Sequence, residues 1–450
     1  MNTIAQDDKQ KTWCRRSKKK NRHPDDTLPH FKHEWRCHER DAINLFEAFV
    51  MEPRNSAVRQ RHISALCVIL ANITAAGMNL QLDNFSRLRV ESCGYSRQAF
   101  LNVLNHLEKV ALIHRKVEEG DFTQSVITYS TRILMYKPVW VYYQPAGTIL
   151  INDKETGVRK MGKINNAERK ELKEGVQKYW DFVLENEIKL NLTKTTFDLF
   201  NDYEVEVKQK KPLAVPDERK VLPHISFNDQ ELTLGGRFYG AFWINCKKEF
   251  RKLITINGEL TSDIDGRAMH TQLLYKLKGM SMPLGNPYLY EGELREVTKM
   301  LMLLMLNTRQ KETIIEGRKK VIKTYLKDWK RRAFLHRIGV QGQLEKYIEE
   351  LETYHSKILD ELYQPNWGRL QKTEAAVMLK IMLRGVAEDV LVLPVHDGCL
   401  CAQKNKKTVL GYFESEGIIA EEKVKHLNPL PITETMDALR AYRHRERVAA

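Results

Sequence analysis

Residues 253–265 read LITINGELTSDID. Asn257-Gly258 separates two short runs rich in β-formers, and Asn-Gly in that setting is a strong signal for a two-residue hairpin loop. On the second run Glu259, Thr261, Asp263 and Asp265 share one face, because side chains alternate along a strand. The strand therefore ends on carboxylates that point the same way. Oxygen ligands of this kind suit a hard divalent cation such as Mg²⁺, with Mn²⁺ as an alternative. An exposed acidic strand face is the plainer reading.

Two further stretches carry chemistry. Residues 390–401 read VLVLPVHDGCLC. An apolar run meets His396-Asp397-Gly398 and a second apolar run follows, which predicts a hairpin turning at Asp397-Gly398 with a carboxylate at its tip. Cys399 and Cys401 have no second pair nearby and read as small core residues. Residues 293–306 read ELREVTKMLMLLML. Arg295 and Lys299 lie one turn apart on a predicted helix that is apolar on most sides, and cations there need anionic partners, either a triphosphate or neighbouring carboxylates.

The surrounding chain sets limits. Its 450 residues suggest two or three domains. Lys and Arg outnumber Asp and Glu by 73 to 58, a net charge of +15, which favours a polyanionic partner. No run approaches the roughly eighteen apolar residues of a membrane span, and no apolar segment of a secretory signal follows the basic start. Seven cysteines without a Cys-x-x-Cys pair argue against a disulfide framework. A cytoplasmic protein with no membrane partner is expected.

Residues 1–39 read as a basic flexible arm. His30, His33, Cys37 and His38 cluster there without the spacing of a zinc site. Residues 40–76 show helical periodicity through Ala42, Leu45, Phe46 and Phe49 and then Ile63, Leu66, Ile69, Leu70 and Ile73. Ser96 is a good N-cap for a helix burying Phe100, Val103, Leu104 and Leu107. Leu112–Val117 and Val126–Ile133 alternate like a hairpin. Across residues 40–145 this order resembles a winged helix-turn-helix. The resemblance implies that Arg97 and Gln98 begin a recognition helix and that Arg115 and Lys116 lie on the wing, facing DNA or a docked protein. Residues 146–216 read as a helical connector ending in the basic, proline-containing KQKKPLAVP of residues 208–216. Residues 309–337 are strongly basic, with Tyr325, Trp329 and Phe334 expected to pack inward while the cations track phosphates.

Taken in order, the strand ending at Asp265, the Arg295–Lys299 helix and the His396-Asp397 hairpin resemble motifs A, B and C of one polymerase superfamily, which contains the family A DNA polymerases and the phage-type single-subunit RNA polymerases. The likeness covers about residues 222–425 as scattered motifs. Gly235-Gly236-Arg237-Phe238-Tyr239-Gly240 resembles the Gly-Arg element that contacts the template–product hybrid, so Arg237 and Tyr239 are implied nucleic-acid contacts. Residues 263–275, DIDGRAMHTQLLY, also resemble motif A of replication proteins carried by phages and mobile elements, some of them primases.

The resemblance implies an α+β chain: a mostly helical winged-helix-like region, a thumb-like connector, then a right-hand palm with an antiparallel sheet and helical fingers over residues 217–450. Asp265 and Asp397 would hold two Mg²⁺ ions, with Asp263 as the alternative first aspartate. Arg295 and Lys299 would grip the triphosphate, Lys299 as general acid, and His396 would steady the primer end. There are departures. His270 stands where family A DNA polymerases often carry a glutamate gate against ribose, and Asn307 where a tyrosine is common. Both are implied nucleotide contacts, and the choice between dNTP and NTP stays open. Thr233 replaces an acidic residue before the Gly-Arg element, and no exonuclease domain is evident. The expected activity is DNA-templated nucleotidyl transfer on a single-stranded or primed template, as a primase-polymerase or small DNA polymerase of a phage, plasmid or mobile element. A helicase or single-strand-binding protein is a conceivable partner. A single-subunit RNA polymerase and a non-catalytic replication initiator are the alternatives.

Overall fold

The computed structural model describes residues 35–37, 39–48, 56–76, 79–82, 96–117, 125–129, 141–143, 145, 147–152, 159–161, 167–207, 210–308 and 313–423. The chain is α+β and divides after Val141 into two compact units. No helix among the described residues is long and apolar enough to cross a membrane.

The first unit contains β1 (Trp35–Cys37), α1 (Glu39–Ala48), α2 (Ser56–Ala76), β2 (Asn79–Leu82), α3 (Arg97–Lys109), β3 (Ile113–Val117) and β4 (Ser125–Tyr129). Its three-stranded antiparallel sheet runs β2-β4-β3. Ser96 caps α3: its backbone is extended and its hydroxyl accepts the Ala99 N–H at 3.1 Å, satisfying one of the amides a helix start leaves free. Phe100, Val103, Leu104 and Leu107 recur at helical spacing and are buried against Leu45, Phe46, Leu66, Ile69 and Leu70. The expected arm ends earlier than residue 39, because Arg36 and Cys37 in β1 are already buried and Cys37 joins this core.

The second unit begins with β5 (Ile149–Asn152), β6 (Arg159–Met161), α4 (Ala167–Leu184), β7 (Ile188–Leu190) and α5 (Lys194–Asp202). These elements are not the separate connector expected for residues 146–216. The aromatic residues of α4 face inward, where the Tyr179 hydroxyl donates to the Val392 carbonyl at 2.8 Å and the Trp180 indole donates to that of Pro223 at 2.6 Å. Buried Glu204 accepts from Lys210 and Lys247, which ties the basic stretch to the body of the unit. A helix is expected in this segment, but only the buried aromatics of α4 say that it packs.

Next come β8 (His224–Phe227), β9 (Gly235–Tyr239), β10 (Ile254–Ile256), β11 (Glu259–Gly266), α6 (Met269–Leu277), α7 (Gly292–Asn307), α8 (Ile314–Lys327), α9 (Trp329–Arg337), α10 (Leu344–Tyr354), α11 (Trp367–Ala387), β12 (Val392–Val395), β13 (Gly398–Ala402), α12 (Lys406–Ser415) and β14 (Ala420–Glu422). One sheet runs β9-β8-β5-β6; the other runs β12-β13-β11-β10-β7, with β14 on β11. The β10–β11 loop is Asn257-Gly258, with Ile256 opposite Glu259, as expected. The second hairpin turns one residue earlier than expected. Val395 pairs with Gly398, so the loop is His396-Asp397 and Gly398 already belongs to β13. His396 takes the left-handed conformation (φ 55°), which histidine adopts more readily than most residues.

Gly398 serves a close approach instead of the turn. A Cβ there would lie 2.3 Å from the Ile264 carbonyl oxygen and 3.1 Å from the Asp265 Cα. Only glycine lets β13 lie this near to β11. Helix α7 is less enclosed than expected: Val297, Leu301, Met302 and Met305 are buried, but Lys299 and Leu303 are exposed. Its neighbour α8 is anchored to α10 through Arg318, which donates to Glu352 and Glu349.

Gly398→Ala should destabilise the second unit by about 3 kcal/mol, because backbone and not a yielding side chain meets the new methyl. A urea-unfolding midpoint equal to that of the wild type would refute the close approach.

Candidate active site

Asp265 closes β11 and stands opposite Gly398 on β13. Asp397 immediately precedes Gly398, and the Gly266 N–H donates to the Asp397 carbonyl at 3.0 Å. Two carboxylates from distant parts of the chain thus sit at adjacent strand ends. Burial, followed by the negative charge of Asp397, pushes the Asp265 carboxyl up to about 6, and Asp263 adds to the effect. Lys423, just beyond β14, opposes it through an ion pair with Asp265 Oδ1 at 2.8 Å.

Tyr288 marks the site's other wall. Burial pushes its hydroxyl up to about 12, with Asp397 and Asp265 adding to the rise and Arg295 opposing it. The Arg295 guanidinium lies over the Tyr288 ring, 5.2 Å from its centroid. Tyr288 thus lies in the field of Arg295, on the first turn of α7, and of both carboxylates. Lys299, one turn on, is exposed and has no ion-pair partner among the described residues. Asn307 lies eight residues beyond Lys299, about 12 Å along the helix, and its amide donates to the Leu303 carbonyl at 2.8 Å. It is not gathered with the others.

The floor is built on a buried carboxylate. Glu374 on α11 has a side chain only 1% exposed. It accepts two hydrogen bonds from Arg237, at 2.7 and 2.8 Å, and stands 2.9 Å from His270 Nε2. Burial alone would raise the Glu374 carboxyl, but the bonds from His270 and Arg237 more than reverse that and hold it below the usual range. The ladder between β8 and β9 shifts register between Gly235 and Arg237, and both glycines have φ above 90°. A Cβ on Gly236 would meet the Phe227 ring at 2.9 Å. This bulge aims Arg237 at Glu374. The Tyr239 ring lies edge-on to His396 with centroids 6.2 Å apart. Burial, followed by the Arg237 cation, lowers the His396 imidazole from its ordinary value.

Asp263, Asp265, Asp397, His396, Arg237, Tyr239, His270 and Arg295 are thus brought to one region. Glu374, Tyr288 and Lys423 were missed. Glu374 left one signal, a lone carboxylate on the apolar stripe Leu370, Val377, Met378 and Ile381; the other two left none. In the first unit, Arg97 opens α3 and Arg115 and Lys116 lie on β3, but their side chains fall outside the described residues, as do those of His30, His33 and His38. Gln98 is exposed and donates to Asn102 at 2.8 Å.

Among the described residues no group of three or more His, Cys, Asp or Glu side chains is arranged to hold a metal. Mg²⁺ is commonly held by one or two carboxylates together with phosphate oxygens and water. Asp265 and Asp397 fit that simpler arrangement, and their mutual repulsion is what a divalent cation would relieve. No family model, curated protein or solved structure matches the chain.

Two outcomes test this geometry. An aspartate whose pKa is raised on folding costs stability when ionised, and the cost fades as pH falls from about 6 toward 3.8. In chelator, Asp265→Asn should therefore be more stable than wild type at pH 7–8, by roughly 1–3 kcal/mol, with the difference vanishing near pH 4; a pH-independent difference would contradict the shift. Glu374→Ala should cost about 3–5 kcal/mol, because it strands a partly buried guanidinium, and urea unfolding would read the loss.

Proposed function

We propose that this chain is a DNA-templated nucleotidyltransferase, with residues 217–423 acting as a polymerase palm and fingers and the first unit as a DNA-binding winged helix. One observation carries the reading: Asp265 and Asp397 stand at adjacent strand ends, with Tyr288 in the field of both and Arg295 stacked on its ring. The helix–strand–helix–hairpin order of the first unit, with sheet order β2-β4-β3, supports the second part.

Bound Mg²⁺ would lower the pKa of a primer 3′-hydroxyl and neutralise charge on the leaving pyrophosphate. The protein's own residues supply the frame. Asp265 and Asp397 provide the carboxylate oxygens, and a rigid strand contact fixes their separation. Arg295, stacked on Tyr288 and paired with Glu296 at 3.6 Å, would bind an incoming triphosphate, and exposed Lys299 would donate a proton to the leaving group. The 3′-oxygen attacks the α-phosphorus, the bond to the β-phosphate oxygen breaks, and pyrophosphate leaves. Arg237, held by Glu374, faces the end of the growing duplex. His270, held by the same carboxylate, would contact the nucleotide sugar.

A second reading has its own observation. Lys423 already neutralises Asp265, as it would in a replication initiator whose palm only binds DNA. One assay separates the two: single-stranded DNA with and without primer, dNTPs or NTPs, and Mg²⁺ or Mn²⁺, for wild type and Asp397→Ala. Metal-dependent product from the wild type, reduced at least about a thousandfold in the variant, supports the polymerase, and the lanes identify the sugar and the priming requirement. Equal product from both enzymes would sink the assignment of Asp397. No product in any lane would favour the initiator.

A further inference from the structure

Helix α8 carries Ile315, Lys319, Lys323 and Lys327 at four-residue spacing, which places them in one row along its surface. All four are exposed. None of the three lysines has a carboxylate partner among the described residues, although Arg318 on the same helix has two. Like charges one turn apart weaken a helix, so the row works against the stability of the element that carries it. Its three lysines span about 12 Å and lead toward Trp329, the first residue of α9.

Trp329 is 64% exposed, against the expectation that the aromatics of this region pack inward. Tyr325 does so, at 2% exposure. The ammonium of Lys330 lies 5.8 Å from the centroid of the Trp329 ring. The surface therefore presents a line of unpaired cations leading to an open indole face.

We propose that this ridge binds single-stranded DNA, with phosphates along Lys319, Lys323, Lys327 and Lys330 and a base stacked on Trp329. Charge complementarity calls for a polyanion, and an exposed aromatic ring beside cations calls for a flat π-face. A duplex keeps its base faces stacked inside, so only an unpaired strand meets both demands. A lipid surface fits less well, because Ile315 and Trp329 lie at opposite ends of the basic row and form no continuous apolar face. The proposal rests on the polymerase reading only for the strand's role, which would be that of unpaired template.

The test uses the full chain in chelator without nucleotides, so it is independent of catalysis. Fluorescence anisotropy of a labelled oligo(dT) of about 16 nucleotides is followed over a salt series for wild type, Trp329→Ala, Trp329→Phe and the triple variant Lys319→Ala/Lys323→Ala/Lys327→Ala. Trp329→Ala should weaken binding about tenfold, and Trp329→Phe should retain most of the affinity. The triple variant should reduce the slope of log K against log salt by about 2. These residues are exposed, so unfolding midpoints should stay near the wild-type value. Unchanged affinity and slope in both alanine variants would overturn the proposal. So would tighter binding to the matching duplex, or a loss confined to anionic phosphatidylserine vesicles or to poly-glutamate. Because neither metal nor nucleotide is present, failure of the ridge stays distinct from failure of the active site, which the incorporation assay reads separately.

Discussion

Asp265 and Asp397 repel each other, and the strand that carries one and the hairpin that carries the other cannot move apart. β11 and β13 are in register from Thr261–Ala402 to Asp265–Gly398, and the absence of a side chain at Gly398 lets the backbones approach more closely than any other residue would allow. Buried β-strands do not adjust to relieve a local charge conflict, because shifting the register would turn every core side chain of the strand outward. At the sheet's end burial raises the Asp265 carboxyl pKa, and the charge of Asp397 adds to the rise. Ile264, Cys399, Leu400 and Cys401, all fully buried, hold the carboxylates in place.

A second buried charge organises the floor beside them. Glu374 would be intolerable alone inside the protein, and Arg237 and His270 make it acceptable. In exchange, the carboxylate fixes two side chains from different elements, one on a bulged strand and one on α6. The pair is thus oriented by α11, a long helix packed against β9. Such an arrangement contributes less to stability than to geometry, since replacing a buried ion pair with apolar groups is often neutral.

Local signals in the sequence identified most of what is local in the structure. The Asn257-Gly258 turn, the Ser96 cap and the apolar face of α3 are each specified within a few residues, so periodicity and capping chemistry reveal them. The convergence of Asp265 and Asp397 was legible only as a resemblance, because strand pairing between distant segments leaves no local trace. Tyr288 and Lys423 were illegible for the same reason: each lies in a stretch with ordinary composition and acquires its role from what folds against it. The reading of α4 as part of a connector failed because periodicity reports an element's face and not the surface that covers it. Trp329 was misplaced by a sound prior, that aromatic residues are usually buried.

Lys423 shows how the two readings of the site meet. Its ammonium occupies a position on Asp265 that a divalent cation would also seek, and half of its side chain is open to solvent. A lysine that is this accessible pays little desolvation to leave, so its pairing with Asp265 is weak relative to a chelated ion shared with phosphate oxygens. Glu374 offers the contrast, because it is itself buried and both of its partners are mostly buried. The site therefore combines a permanently neutralised carboxylate that sets geometry with a provisionally neutralised one that remains available to a ligand. That asymmetry follows from the difference in burial between the two carboxylates and their partners.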